Sequence, residues 1–377
     1  MGKRLKIALN YTYNESWIGG TYYIENLIKA LNTLNEDQKP IIYIISESES
    51  YKKLKERLIY PHLLHHKPYG DRYIFLRYLN RFLLLLFKSS FLDKLTSVKA
   101  IFPYNQDIPF LHASKKIFWI PDFQEHYLPF FFSDEEITFR KSKQSLISTS
   151  NGHLILSSNN AFLNFKEIYP NHKVATHVLP FAVDLPSISN VNFKAVKKEY
   201  NLIDEYYVCA NQFWVHKDHK TLIKAIYQLK QKGIVKVVYL TGKTEDYRFP
   251  KYFQEIKNLI KEYHLEKQII ILGFLDRAIQ LSIIKNAKAI IQPSLFEGWS
   301  TVIEDAKALN QFIIASDIAI HKEQLESYPN FVLFEKQNPK TLTSILEKLN
   351  YCSQIVKIDY NKKILEFGSS FLNIIKH

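Results

Sequence analysis

One stretch in the second half of the chain, residues 289–315, limits the fold most strongly. It begins with a largely apolar segment, Ala289 to Ser294, and it ends with a second one, Phe312 to Ala315. The residues between them form a polar loop followed by a run with helical character, so the pattern predicts strand, loop, helix, strand. Strands that alternate with helices are typical of α/β domains with a parallel sheet, which is the fold class that we expect.

The loop of this stretch has the residue types of a phosphate site. Gly298 allows a ligand to approach the backbone closely, and Ser300 or Thr301 can cap the helix that follows. The start of a helix offers unpaired N–H groups and the positive end of a dipole, both of which suit an anion. The alternative is an ordinary capped surface helix after a buried strand.

Carboxylates lie on both sides of this helix start. Glu297 is in the loop, and Asp305 follows eight positions later on the helix, with Glu304 beside it. Ionised carboxylates accept hydrogen bonds from hydroxyl groups. A phosphate site with carboxylates nearby indicates a ligand with both phosphate and hydroxyls, such as a sugar nucleotide.

The length and charge of the chain narrow the function further. A chain of 377 residues favours two domains, and a net charge of +13 fits nucleic acid, an anionic membrane or an anionic ligand. Nucleic acid is not expected, because no known recognition module is visible.

Two cysteines, Cys209 and Cys352, form neither a metal pattern nor a disulfide framework, which favours a reducing cytoplasm. The N-terminal residues predict a first strand and not a signal peptide.

The first half opens like a nucleotide-binding fold. Lys6 to Asn10 predicts a strand, a loop with Gly19 and Gly20 follows, and Thr21 to Leu34 has helical spacing. A later strand end leads into a loop with Asp122 and His126. Ligands of α/β sheets bind at strand ends, so both are candidate site residues, although a surface loop also explains His126.

The region from Tyr51 to Phe87 predicts basic, aromatic helices. Thirteen Lys or Arg stand against four Asp or Glu between residues 51 and 120, and the apolar run Phe82 to Phe87 is far too short to span a bilayer. Such helices suit an anionic membrane surface. The alternative is internal packing of the apolar face with the bases in water.

A second basic loop, Asn211 to Lys220, lies between a predicted strand and a predicted helix. It contains Lys217, Lys220, His216 and His219, which suit a diphosphate at a strand-to-helix junction. The alternative is a solvated basic face. Gly273 and Phe274 end another predicted strand, and a plain turn explains that glycine from the sequence alone.

The stretch Glu297-Gly298-Trp299 resembles the signature of family 4 (group 1) retaining glycosyltransferases, whose fold is GT-B. Their pattern is Glu, seven residues, then Glu. Asp305 takes the position of the second acid, and Glu304 lies one residue earlier, so the resemblance leaves open which of the two fills that role.

The resemblance also implies roles on the donor side. Lys217 matches a lysine that reaches the donor diphosphate, whereas Gln212 stands where the family has an arginine, so His216, His219 or Lys220 would share the phosphate. The Gly273-Phe274 backbone would touch the base. In the first half, the Gly19-Gly20 loop would lie over the cleft.

On the acceptor side, Pro121-Asp122-Phe123-Gln124 resembles a subgroup found among cell-surface polysaccharide enzymes. By that resemblance Asp122 and His126 face the acceptor. The expected product is a glycosidic bond formed with retention, from a nucleotide-sugar donor to a hydroxyl of a glycan or lipid-linked acceptor. No metal or other cofactor is expected, and the protein is placed in the cytoplasm, peripheral on the inner face of the membrane.

The expected architecture is two Rossmann-like domains facing across a cleft. Residues 1–183 form the acceptor-side domain, residues 184–355 form the nucleotide-sugar domain, and residues 356–377 form a helix that crosses back to the first domain. Two other functions remain open. One is a GT-B nucleotide-sugar epimerase, and the other is a catalytically weak GT-B partner module.

Overall fold

The structure is a computed structural model that divides into two compact units. It describes residues 4–15, 18–67, 82, 98–105, 113–188, 190–349 and 355–377. The first unit comprises residues 1–122, 139–184 and 361–377, and the second comprises residues 123–138 and 185–360.

Within the described residues, the first unit is built on a seven-stranded sheet in the order β3-β2-β1-β4-β5-β6-β7. Every pairing in it is parallel. Its strands are, in chain order, β1 Lys6–Asn10, β2 Ile41–Ile45, β3 Leu63–His66, β4 Val98–Phe102, β5 Ala113–Ile120, β6 His153–Leu156 and β7 Ala175–Val178.

The second unit has a six-stranded parallel sheet in the order β10-β9-β8-β11-β12-β13. Its strands are β8 Tyr207–Cys209, β9 Val238–Thr241, β10 Ile269–Gly273, β11 Ala289–Gln292, β12 Ile313–Ser316 and β13 Phe331–Phe334. Tyr207 and Cys209 pack into one hydrophobic cluster and Val208 into the other. Both faces are therefore covered, which explains why these strands are nearly continuous apolar runs.

The described helices lie between these strands or, for the last two, after the final strand. They are α1 Ile18–Asn32, α2 Ser48–Arg57, α3 Gln124–Tyr127, α4 Asp134–Ser148, α5 Asn159–Ile168, α6 Phe193–Glu199, α7 His219–Gln231, α8 Tyr252–Glu262, α9 Arg277–Lys285, α10 Thr301–Ala308, α11 Ala319–Leu325, α12 Pro339–Lys348 and α13 Asn361–Lys376. Two 3-10 turns, Pro129–Phe131 and Val215–Lys217, complete the set among the described residues.

The C-terminal helix α13 belongs to the first unit and packs on α1. The contact is close at Gly368, where an added Cβ would lie 2.6 Å from the carbonyl oxygen of Ala30. Any larger residue at 368 would push the two helices apart, so the glycine is required by the close approach of backbone to backbone.

Residues 123–138 group with the second unit, whereas the sequence analysis assigned them to the first domain. Aromatic packing accounts for this placement. The ring centroids of Phe131 and Phe249 lie 5.7 Å apart, and those of Tyr127 and Phe296 lie 5.9 Å apart. The Tyr247 hydroxyl also donates a hydrogen bond to Glu136 at 3.1 Å.

The start of α1 differs from the sequence prediction. Gly19 and Gly20 lie in the first turn of α1, which begins at Ile18, and not in a loop before the helix. The first turn of a helix has no intrahelical partners for its N–H groups, so low helix propensity costs little there.

Much of the basic, aromatic region predicted to meet a membrane lies outside the described residues, including Arg72, Arg77, Arg81 and the run from residue 83 to 87. Its first part forms α2 and β3. In the part of the chain that the structure describes, no helix is both long enough and apolar enough to cross a bilayer.

Candidate functional site

The candidate site lies in the second unit, at the carboxyl edge of three neighbouring strands. The strands β8, β11 and β12 are adjacent in the sheet, and the segments that follow them contain Lys217, Glu297 and His321. Ligands of open parallel sheets bind at this edge.

Lys217 and Glu297 form a largely buried ion pair at this edge. The Lys217 Nζ lies 2.6 Å from Glu297 Oε1, and the two side chains are only 18% and 9% exposed. Lys217 ends the 3-10 turn 215–217, and Asp218 follows in the left-handed region with φ +48. The Asp218 side chain then caps α7 by accepting a hydrogen bond from the Thr221 N–H at 3.3 Å. This tight turn and cap fix the position of Lys217.

The environment keeps Glu297 ionised. Burial alone would raise the pKa of Glu297, but the charge of Lys217 and the hydrogen bond from Lys217 are the main causes that lower it to about 2. An ionised carboxylate only accepts hydrogen bonds, so a ligand must present donors to Glu297.

A buried amide, Gln292, connects Glu297 to the rest of the edge. Its Nε2 donates to Glu297 Oε1 at 2.9 Å and lies 3.2 Å from the Ser300 hydroxyl, while its Oε1 accepts from Asn211 at 2.9 Å. Gln292 is completely buried. The sequence analysis missed it, although a glutamine that ends the otherwise apolar strand β11 was a usable signal.

Ser300, and not Thr301, is the N-cap of α10. The Ser300 hydroxyl accepts from the Ile303 N–H at 3.4 Å. The Gln324 side chain accepts from the Ser300 N–H at 3.1 Å and donates to the Ser300 carbonyl at 2.8 Å. The Ser300 N–H is therefore already hydrogen-bonded to Gln324. A phosphate at this helix start would bind the neighbouring amides.

The two acids on α10 have different surroundings. Glu304 is 2% exposed, and both of its oxygens have partners. Lys307 and Gln324 each donate to Oε1 at 2.8 Å, and the Tyr360 hydroxyl donates to Oε2. Three donors on one buried carboxylate indicate a structural role for Glu304.

Asp305 keeps one oxygen available. Its Oδ1 pairs with Arg277, the first residue of α9, whereas its Oδ2 is buried and has no hydrogen-bond partner in the described part of the chain. Burial raises the pKa of Asp305, and the charge of Arg277 opposes that rise. Sequence reasoning did not find Arg277, because the contact depends on how α9 and α10 pack.

The other basic groups of the 211–220 loop do not add charge to the site. Burial lowers the pKa of His219 to about 3 and lowers that of His216 well below its usual range. The His219 ring stacks on Phe213, with ring centroids 4.6 Å apart, in the manner of a core residue. Lys220 pairs with Glu255 at 2.7 Å on the surface. Lys217 is therefore the cation of this loop that faces Glu297.

Glycines allow the loops at this edge to approach each other. Gly242 has φ +140, and a Cβ added to it would lie 2.2 Å from the Asn211 carbonyl oxygen, just before Gln212. The Gly242 N–H donates to the carbonyl of Gly273, which has φ +74 at the end of β10. Phe274 follows Gly273 and is 54% exposed.

The remaining candidates are divided between the two units. Gly19, Gly20 and Asp122 belong to the first unit, whereas His126 lies in the short helix α3 of the second. The His126 ring is 5.1 Å from that of Tyr127, which stacks on Phe296, the residue before Glu297. Gly298 and Trp299 lie in the loop between Glu297 and the cap of α10.

Solved structures share the architecture that these two sheets define. A glycosyltransferase from Rickettsia africae has 16% identity and a TM-score of 0.63, covering 99% of this chain and 94% of its own. HepE from Anabaena, solved with UDP and glucose, has 14% identity and a TM-score of 0.65, covering 99% and 95%. Sucrose-phosphate synthase from Thermosynechococcus elongatus has 15% identity and a TM-score of 0.65, covering 99% and 98%. The fold is GT-B, with two Rossmann-like units, as predicted.

The sequence of the second unit matches the model of a known family. Residues 192–357 match the family model described as Glycosyl transferases group 1, and the match includes Lys217, Glu297 and Asp305. This match confirms the resemblance to group 1 glycosyltransferases seen at Glu297, and it supports a glycosyltransferase. No curated protein matches the chain significantly.

Proposed function

We propose that this enzyme moves a sugar from a nucleotide-sugar donor to a hydroxyl of an acceptor, with retention, and binds the donor at the carboxyl edge of the second sheet. The observation that supports this most directly is the buried ion pair of Lys217 and Glu297 beside the start of α10.

A nucleotide sugar supplies a replacement partner for each member of the pair. Breaking a buried ion pair is costly unless both charges find new partners. A diphosphate offers anionic oxygens to Lys217, and sugar hydroxyls offer donors to Glu297. The diphosphate and the sugar are adjacent groups of one nucleotide sugar. A single ligand can therefore reach both side chains, which lie 2.6 Å apart.

The reaction needs stabilisation of the leaving group. The bond between the anomeric carbon and the phosphate oxygen breaks, and its electron pair leaves with the nucleoside diphosphate. The acceptor oxygen bonds to the same carbon on the same face, and its proton passes to the departing phosphate oxygen. Lys217 and the amides of Gly298, Trp299 and Thr301 would meet the growing negative charge. These groups perform this task without a metal ion.

The nucleoside would extend from the diphosphate towards Asp305. The buried Oδ2 of Asp305, which no described residue contacts by a hydrogen bond, can accept one from a ribose hydroxyl. The exposed turn at Gly273 and Phe274 would meet the base. Glu304 is a poor candidate for the same role, because both of its oxygens already have donors.

The acceptor would be a glycan or lipid-linked sugar of a cell-surface polysaccharide, handled in the cytoplasm at the inner face of the membrane. His126 is the acceptor-side candidate of the second unit, while Asp122 and the Gly19-Gly20 turn are candidates of the first. The basic region around α2 would give the attraction to anionic lipid, since several Lys and Arg follow each other there.

The first experiment is a thermal-shift panel of UDP, GDP and ADP and their glucose or mannose conjugates. A ligand at about 100 times its dissociation constant adds roughly 2.7 kcal/mol to stability. We expect the nucleotides of one base to raise the melting temperature clearly more than those of the other bases. UDP is the first choice, because HepE was solved with UDP. No shift with any member would contradict donor binding. Turnover of the bound nucleotide sugar without acceptor would favour the epimerase instead, and binding without any turnover would favour the partner module.

A further inference from the structure

We propose that His321 binds the transferred sugar, with its Nε2 accepting a hydrogen bond from a sugar hydroxyl. This inference rests on the proposed function, because it assigns one more residue to the same donor site. His321 lies in the first turn of α11, directly after β12, and it is completely buried.

The hydrogen bonds around His321 fix where its proton lies. The Ser316 hydroxyl has one hydrogen, which it donates to the Ser294 carbonyl oxygen at 2.5 Å. Its oxygen can therefore only accept from His321 Nδ1, which lies 3.2 Å away, and the Ser316 carbonyl, 2.9 Å from the same nitrogen, is also an acceptor. Nδ1 must carry the proton. In the neutral ring Nε2 is then an acceptor.

This Nε2 has no hydrogen-bond partner among the residues that the structure describes, and those residues shield it from solvent. A buried polar atom without a partner costs on the order of 1–3 kcal/mol, and native structures contain few of them. The ring is also neutral in the folded protein, because burial lowers the pKa of His321 to about 4. A neutral acceptor that lacks a donor points to a ligand that brings one.

His321 and Glu297 follow two adjacent strands, β12 and β11, which pair in parallel. The hydrogen bond from the Ser316 hydroxyl to the Ser294 carbonyl joins the ends of these two strands. The Lys217 ammonium is already engaged with Glu297, and Gln292 donates to the same carboxylate oxygen. The site therefore presents two acceptors, the Glu297 carboxylate and the His321 Nε2, from neighbouring strand ends. A sugar ring with several hydroxyls can donate to both.

Two substitutions separate the structural contact of His321 from its contact with ligand. The side-chain amide of asparagine falls near the Nδ1 position and can still donate to Ser316, but nothing replaces Nε2. The longer glutamine places its amide near the Nε2 position and can accept there, but it gives up the donor to Ser316. His321→Asn should therefore keep the fold and lose the sugar contact. His321→Gln should keep the sugar contact and lower the stability of the fold.

The test uses calorimetry with three ligand pairs, UDP and UDP-glucose, GDP and GDP-mannose, and ADP and ADP-glucose, starting with the wild-type protein. For the pair that binds, we expect His321→Asn to leave the affinity for the nucleoside diphosphate unchanged. Its affinity for the nucleotide sugar should fall about fivefold to tenfold, the loss expected for one hydrogen bond. His321→Gln should restore most of the nucleotide-sugar affinity while melting at a lower temperature.

Equal nucleotide-sugar affinities in the wild type and in His321→Asn would overturn the assignment of His321. An equal loss for the nucleoside diphosphate and its sugar conjugate would also overturn it, since that result indicates a general distortion of the site. If no pair binds the wild-type protein, the proposed donor site itself is wrong.

Discussion

The Lys217 ammonium and the Glu297 carboxylate lie 2.6 Å apart, although 80 residues separate them in the sequence. Lys217 is the charge that lowers the pKa of Glu297 most, and both side chains are largely buried. Neither can leave the other without a ligand group to take its place, since an unpaired buried charge is strongly unfavourable. In the proposed function, this pair is the closed form of the donor site, which a nucleotide sugar would open.

Removal of the lysine should abolish most of the activity. We expect Lys217→Ala to lower turnover by on the order of 10²–10³, because a single donor aimed at a developing anion contributes about that much. Lys220→Ala is the matched control, since Lys220 is on the same loop but pairs with Glu255 at the surface. Steady-state kinetics of both variants check this. Equal rates for Lys217→Ala and the wild type would remove Lys217 from the site.

Asp305 should matter for nucleotide affinity. Asp305→Asn replaces the carboxyl group beside Arg277 with an amide, so we expect weaker binding of the nucleoside diphosphate. The effect should nearly disappear with a 2′,3′-dideoxy nucleotide, which lacks the hydroxyls that Asp305 would bind. Calorimetry with the two nucleotides measures this. A similar loss for both ligands would place the ribose elsewhere.

Glu304 should matter for stability instead. Glu304→Gln leaves the buried ammonium of Lys307 without its carboxylate partner at 2.8 Å. Removing one member of a buried pair typically costs about 3–5 kcal/mol, so we expect a clearly lower urea midpoint. Nucleotide affinity of the folded fraction should change little. A variant that is stable but binds nucleotide poorly would transfer the ribose role from Asp305 to Glu304.

The buried histidine of α7 should make the protein sensitive to acid. The pKa of His219 falls from its ordinary 6.5 to about 3 in the folded state, so between those values only the unfolded chain binds the proton. Stability from this residue is present above pH 6.5 and is lost as the pH falls. From pH 7 to pH 5 the loss should be about 2 kcal/mol. We expect His219→Gln to show a smaller loss than the wild type in urea unfolding at the two pH values, and equal losses would contradict the assignment.

The sequence predicted the fold well, because each element needs only local information. The apolar run predicted as a strand at Phe312 to Ala315 is β12, Ile313–Ser316, and the helix expected after Gly298 is α10. The start of α1 was predicted incorrectly, because a glycine pair usually indicates a turn before a helix. The first turn of a helix tolerates such a pair, and Gly19 and Gly20 lie there.

The site was less accessible from the sequence, since its contacts join distant segments. Sequence patterns selected Lys217, Glu297 and Asp305 one at a time, but nothing in them indicated that the lysine and the glutamate touch. Arg277 and His321 acquire their importance from buried atoms of their neighbours, Asp305 Oδ1 and the Ser316 hydroxyl. Such relationships exist only after the helices have packed.

The most direct test of the donor site is a comparison of nucleoside diphosphate and nucleoside monophosphate binding by calorimetry, with the wild type and Lys217→Met. If the diphosphate replaces Glu297 as the partner of Lys217, the wild type should bind the diphosphate at least about tenfold more tightly than the monophosphate. This is the gain in affinity expected from one charge-assisted hydrogen bond. Lys217→Met should bind the two nucleotides with similar affinity. A diphosphate preference that survives intact in Lys217→Met would contradict the proposal that this ion pair opens to receive the donor.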